Sequence, residues 1–271
     1  MNDFDLQILY KYTLQNNIFS GLFVGQNLIT LKEVDSTNTF LKNTLSNSKP
    51  LPEGTVIMAE SQYAGRGQQQ NRWHSEDGKN LTFSLLLKPS FLAISDQFDL
   101  TRAVSLGVYD ALEPLLGDGL KIKWPNDIYY NDMKLGGMLI ENAIQGSQIK
   151  HAVIGIGLNI NQASFPDVVP NAISVRQILQ QDYDLRLILS HICNNIEAWY
   201  LKLKDGQNNV VRKAYLSRLY WLNGYKRFRS AANGEFEGKI INVQDNGILA
   251  VEDRFGTELM FNFKEIEFLN K

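Results

Sequence analysis

After Asn223-Gly224 the chain stops carrying helix-length apolar patterns, and this break constrains its fold more than any other feature. From Tyr225 to Phe268, short apolar runs are split by Asn233-Gly234, Asp245-Asn246-Gly247 and Arg254-Phe255-Gly256. Residues of these types supply the positive φ that tight hairpins need. A run this short, cut this often, reads as a small all-β barrel. Upstream, helix-like and strand-like segments alternate. The expected class is therefore α+β, with residues 1–222 forming the larger part and 223–271 a β appendix.

Within the larger part, Thr55 to Glu60 and Leu81 to Lys88 are buried-strand candidates. Pro89, which cannot donate to a ladder, ends the second. From Asp99 to Leu116, the residues Leu100, Ala103, Val104, Gly107, Val108, Ala111, Leu112 and Leu115 recur at three-four spacing. That is an amphipathic helix, and Gly117-Asp118-Gly119 stops it. Strands are expected at Leu120 to Trp124, Lys134 to Asn142 and His151 to Gly157, with a turn over Tyr130 to Met133. Further helices are expected at Thr39 to Leu45, Leu185 to Leu203 and about Val210 to Trp221.

Apolar residues make up 44% of the 271 and charged residues 21%, enough to bury a sizeable core. The 27 basic and 29 acidic residues nearly cancel, which speaks against a nucleic-acid binder. Met1 to Ser20 lacks the basic start and apolar run of a signal peptide. No apolar run is long enough to cross a membrane. A single cysteine, Cys193, leaves no internal disulfide, so the expectation is a cytoplasmic protein. The three histidines share no ligand spacing, so neither a structural metal nor a Cys/His nucleophile is expected.

Five segments can carry chemistry. Val34-Asp35-Ser36-Thr37-Asn38 stands ahead of a helix; its hydroxyls either cap that helix or bind a polar ligand group beside its N–H groups. In Ala64-Gly65-Arg66-Gly67-Gln68-Gln69-Gln70-Asn71-Arg72-Trp73, two glycines let backbone N–H groups and a guanidinium approach an anion. The plain alternative is a polar surface loop. Lys123-Trp124-Pro125-Asn126-Asp127 is either a turn after proline or a place where an amide and a carboxylate hold a nucleotide, directly or through a metal. Lys134-Leu135-Gly136-Gly137-Met138-Leu139-Ile140-Glu141 sets a lysine before glycines that admit a ligand to the backbone, or is a charged hairpin. Gly155-Ile156-Gly157-Leu158-Asn159-Ile160-Asn161 begins like a dinucleotide fingerprint, but Ile160 replaces the third glycine and no helix follows at once. A Walker A motif is absent, since Gly78-Lys79-Asn80 lacks the Ser/Thr and the upstream glycine.

Taken in order, these five segments resemble the biotin–protein ligase (holocarboxylase synthetase) family, in its monofunctional form. The likeness runs from about Val34 to Asn161. It continues through Ser164-Phe165-Pro166 and Pro170-Asn171-Ala172 to the C-terminal strands, which look like that family's SH3-like domain. The resemblance implies a mixed β-sheet flanked by helices, a class II synthetase-like catalytic part, with the SH3-like barrel behind it. It implies an ATP-dependent enzyme that makes biotinyl-5′-AMP, with Mg²⁺, and transfers the biotin to a lysine of a carboxylase's biotin carboxyl carrier domain. Ser36, Thr37, Asn38, Gln62, Gly65, Arg66, Gly67, Lys134, Gly137, Gly155 and Gly157 would contact biotin. Arg66, Trp73, Asn126, Asp127, Lys134, Asn159, Asn161 and Phe165 would serve ATP. Lys134, Arg66 and Asp127 would carry the chemistry, Asp127 also holding the magnesium.

Two departures stand out. Gln68, Gln69 and Gln70 occupy positions where the family often has arginines, which bears on how well the loop retains the adenylate. Too few residues precede Ser36 for the winged helix of family members that repress transcription, so no operator binding is expected. A lipoate or octanoate ligase on the same fold and a non-catalytic biotin sensor are the rival readings. Self-association through a sheet edge, at most a weak homodimer, stays open.

Overall fold

The computed structural model describes residues 19–47, 50–68, 71–169 and 171–269. Residues 1–18, Gln69, Gln70 and Pro170 lie outside the described residues. A seven-stranded mixed sheet organises the larger part. Its strands are β1 (Leu28–Val34), β2 (Val56–Gln62), β3 (Leu81–Leu87), β4 (Leu120–Lys123), β5 (Asp127–Tyr130), β6 (Met133–Gln145) and β7 (Gln148–Leu158), in the spatial order β1-β2-β3-β7-β6-β5-β4. Only β1 and β2 pair in parallel; every other neighbour is antiparallel.

Strand β3 shows why helices cover both faces. All seven of its residues are buried. Because side chains alternate across a strand, Leu81, Phe83, Leu85 and Leu87 enter the large core, whereas Leu86 joins Leu41, Ile57 and Val153 on the other side. Leu41 belongs to α1 (Thr37–Asn47), which covers that second face. The large core is closed by α2 (Gln97–Leu116), which packs along α4 (Leu185–Lys204) and against α5 (Asn208–Ser217). A short α3 (Val175–Leu179) is held by a capping box between Ser174 and Gln177. Among the described residues, no helix is long and apolar enough to cross a membrane.

The third long helix ends earlier than its apolar pattern predicts. It stops at Ser217, and the next residues run beside β4. The Ile122 N–H donates to the Arg218 carbonyl at 3.0 Å, and the Tyr220 N–H to the Ile122 carbonyl at 2.8 Å. An edge strand leaves backbone groups unpaired, and satisfying them outweighs one more helical turn here.

Beyond Trp221 lies a second sheet of five antiparallel strands: β8 (Lys226–Ser230), β9 (Gly234–Val243), β10 (Leu249–Asp253), β11 (Glu258–Phe261) and β12 (Ile266–Phe268). All three expected hairpins are present, and Gly234, Gly247 and Gly256 take φ of 63°, 93° and 81°. The strand order β11-β10-β9-β8-β12 leaves no pairing between β11 and β12 among the described residues. The expected barrel is thus an open SH3-like sheet. Its two edge strands, of 4 and 3 residues, offer few ladder groups with which to close.

The second sheet is bolted to the first through α2. Arg102 is fully buried; its guanidinium donates to the carbonyls of Val243 (3.1 Å), Gln244 and Asp245 (3.0 Å) at the β9–β10 turn. Asp99 pairs with Arg102 and with Arg212, the latter at 2.7 Å, while Arg212 reaches Asp245 at 2.6 Å. The Trp124 indole N–H donates to the Gly247 carbonyl at 2.9 Å, and Phe263 packs against the Trp124 ring.

Candidate functional site

The segments singled out in the sequence converge on one face of the large sheet. Helix α1 starts there. The Thr37 N–H donates to Gln62 Oε1 at 2.8 Å, with Thr37 Oγ1 3.2 Å from the same oxygen, so Gln62 at the end of β2 caps the helix. Ser36, Thr37 and Asn38 are all buried. Beneath them, the Ser84 hydroxyl lies 2.7 Å from Thr37 Oγ1 and 2.6 Å from Asn38 Oδ1. Ser84 was not among the sequence candidates. Its signal is a hydroxyl that shares the otherwise apolar run Leu81–Leu87 with Thr82 alone.

The Gly-Arg-Gly loop folds back as a small hairpin flap. Arg66 pairs with Arg72. The Gly67 N–H donates to the Asn71 carbonyl at 2.7 Å, and the Trp73 N–H to the Gly65 carbonyl at 3.0 Å. The Trp73 indole lies flat enough against β7 that a methyl group added at Gly157 would sit 2.4 Å from it. Only glycine permits this approach.

Opposite the flap, Asp127 on β5 and Gly137 on β6 are register partners. The Lys134 ammonium meets the Asp127 carboxylate at 2.8 Å. A methyl group at Gly137 would fall 2.7 Å from Asp127 Oδ1 and 3.2 Å from Lys134 Nζ. The lysine's backbone is strapped as well: its N–H donates to the Asn171 carbonyl at 2.6 Å, and its carbonyl accepts from the Ile173 N–H at 2.9 Å. Glu141, further along β6, accepts from Lys42 (2.7 Å), Asn38 Nδ2 (2.9 Å) and Arg66 (3.1 Å). Burial pushes its carboxyl up, but these hydrogen bonds and the Arg66 charge outweigh that, and the net shift is below the usual carboxylate range.

Two of the cavities here border Lys134. The first is lined by Ser36, Thr37, Asn38, Gln62, Arg66, Gly67, Asn126, Asp127, Gly137, Gly155 and Gly157 from the sequence candidates, with Phe83, Met138, Leu139 and Ile156 adding apolar wall. The second is lined by Tyr129, Asn159, Phe165, Val169 and Ala172. Trp73 and Lys134 line both. Among the described residues, Asn159 Oδ1 and the Trp73 indole nitrogen are buried with no hydrogen-bond partner. Burial, with the nearby Asp127 charge, pushes the Tyr129 hydroxyl up, so it stays a protonated donor.

Three candidates are placed differently. Gly65 lies in the flap but lines neither cavity. Asn161 also lines neither: its amide donates to the Tyr183 carbonyl and accepts from the Tyr183 N–H, both at 2.8 Å. Asn126 lines the first cavity, yet its Nδ2 donates to the Met138 carbonyl, tying the Trp-Pro corner to β6. Among the described residues, no cluster of three or more His, Cys, Asp or Glu could hold a metal ion.

A model of the biotin/lipoate A/B protein ligase family matches residues 30–159. The bifunctional ligase/repressor BirA of Bacillus spizizenii is 31% identical over 242 residues, covering 88% of this chain and 73% of that protein. The biotin–[acetyl-CoA-carboxylase] ligase of Paracoccus denitrificans is 29% identical, covering 85% of this chain and 96% of that protein. The biotin protein ligase of Aquifex aeolicus, solved in complex with biotin and ATP, superposes with a TM-score of 0.75 at 27% identity, covering 91% of this chain and 100% of that one. With these likenesses spanning most of its length, the chain belongs to the biotin–protein ligases of the biotin/lipoate A/B protein ligase family.

Proposed function

We propose that the protein uses ATP to convert biotin into biotinyl-5′-AMP and then transfers the biotin to a lysine of a carboxylase's carrier domain. The observation that carries this reading is that Lys134, fixed by Asp127, borders two cavities at once. The first offers buried hydroxyls and an amide for biotin's ureido ring, with apolar wall for its fused ring and chain. The second suits adenine: Phe165 and Tyr129 supply aromatic surface, and the orphan Asn159 oxygen awaits a donor such as an exocyclic amine. Both ligands were bound in the Aquifex structure.

In the first step a biotin carboxylate oxygen bonds to the α-phosphorus of ATP, the bond to the β-phosphate bridge breaks, and pyrophosphate leaves. Two anions must approach. Lys134 and Arg66 offset their repulsion and the charge growing on the phosphoryl oxygens. In the second step the acceptor's amine attacks the biotinyl carbonyl, AMP leaves, and the amine's proton is lost to solvent. The flap keeps water from competing. Among the described residues, Asp127 is the one carboxylate lining the first cavity. Asp127 would be the protein's one ligand to a magnesium ion arriving with the nucleotide, and a single carboxylate fits that role. That ion would supply further charge neutralisation at the phosphates. The work is done in the cytoplasm, where Cys193 stays a buried free thiol.

Pyrophosphate release and transfer of labelled biotin to a carrier domain test the assignment, with Lys134→Ala expected to lose about 10²–10³ in rate while remaining folded. Binding of biotin without pyrophosphate release would make the protein a sensor. Activation of lipoate or octanoate instead of biotin would overturn the substrate.

A further inference from the structure

The flap arginine does not stand free at the cavity mouth. Arg66 Nη2 is 3.1 Å from Glu141 Oε1, and Lys42 Nζ is 2.7 Å from that same oxygen. One carboxylate oxygen thus serves two cations that sit on different elements, one on the flap and one on α1. The other oxygen accepts from Asn38 Nδ2, whose amide is fixed in turn by Ser84. Glu141 is therefore held in place whether or not Arg66 is present. The side chains of Arg66, Lys42 and Glu141 are 42%, 39% and 24% exposed. Such a pair is weak enough to exchange partners, since solvent screens it.

This arrangement has the parts of an exchange. An arginine that leaves a half-buried carboxylate ordinarily strands an uncompensated charge. Here Lys42 remains on the same oxygen, so Arg66 can leave at little cost. Arg66 lines the first cavity, and a new anion there competes for it. We propose that Glu141 and Lys42 are positioning residues: Glu141 parks Arg66 in the empty enzyme, and Lys42 keeps Glu141 neutralised while Arg66 is handed to the phosphoryl charge of the adenylate. The inference rests on the biotin-activation reading above.

The test measures the affinity of a non-hydrolysable phosphodiester analogue of biotinyl-5′-AMP by calorimetry. Glu141→Gln removes the parking charge and should tighten binding about three- to five-fold, the range of an exposed ion pair. Lys42→Ala leaves Arg66 as the one cation paired with Glu141 among the described residues and should weaken binding by a similar factor. Both effects should vanish when Arg66→Ala is added. That dependence separates the exchange from bulk electrostatics, because a change in the general potential would persist without Arg66. Equal shifts with and without Arg66, or no shift in either background, would overturn the proposal. An analogue that the unmodified protein ignores would overturn the biotin-activation reading and this inference with it.

Discussion

Ser84 illustrates how much of this site depends on a residue that no motif marks. It is fully buried and supports both Thr37 and Asn38 at the polar end of the first cavity. A hydroxyl has one hydrogen. Asn38 Oδ1 can only accept, so Ser84 donates to Asn38 and receives from Thr37. Ser84→Ala should therefore cost about 1–3 kcal/mol of stability by stranding a buried acceptor. It should also weaken biotin binding, because Asn38 and Thr37 lose their fixed orientation. Chemical denaturation and biotin calorimetry measure the two effects. An unchanged biotin affinity in a destabilised protein would confine Ser84 to the core. The sequence made Ser36, Thr37 and Asn38 legible because they cluster ahead of a helix. It hid Ser84 because a strand residue reaches its partners across more than forty positions of chain.

At the scale of elements, the flap and β7 meet through the Trp73 indole over Gly157, and this contact separates the two cavities. Gly157→Ala should displace the indole, with an overpacking penalty of about 1–3 kcal/mol that appears as weaker binding of both biotin and ATP. Calorimetry with each ligand checks it, and a loss confined to one ligand would show that Trp73 is not a shared wall. The helices α2 and α4 and the strands β2, β3 and β7 were readable from their patterns, because each buries a regular stripe or a continuous run; β6 was readable from the apolar residues that follow its glycines. Strands β1 and β5 were missed for different reasons. Along β1, none of the residues Leu28–Val34 is fully buried, so an edge strand mixes apolar and charged residues without clean alternation. Strand β5 starts at Asp127, inside what reads as a turn after Pro125. The Asn126 amide and backbone, bonded to Met138, turn that corner into sheet. The overlong α5 prediction failed because periodicity carries no information about an unsatisfied neighbouring edge strand.

At the scale of the whole molecule, the two sheets share a buried charge network around Asp99. Burial pushes the Asp99 carboxyl up, but hydrogen bonds from Arg212, Asn208 and Arg102 outweigh it and hold the group below its ordinary value. Since an unfolded aspartate titrates near 3.9, the stability this contributes is present above about pH 4 and is lost as pH falls through the lower, folded value. Melting temperature should therefore drop steeply below about pH 4, and the drop should be shallower in Asp99→Asn; calorimetric melts across that range compare the two. Parallel acid limbs in the two proteins would place the acid-sensitive group elsewhere. The same network bears on recombination between relatives. A crossover at Asn223 would fall between the two sheets, yet it would separate the Arg102 guanidinium and the Trp124 indole from the carbonyls at the β9–β10 turn that receive them. The heritable unit is α2 and the Trp124 corner together with that turn, and chimaeras that exchange the C-terminal strands should work only when the first turns of α2 and the Trp124 corner travel with them.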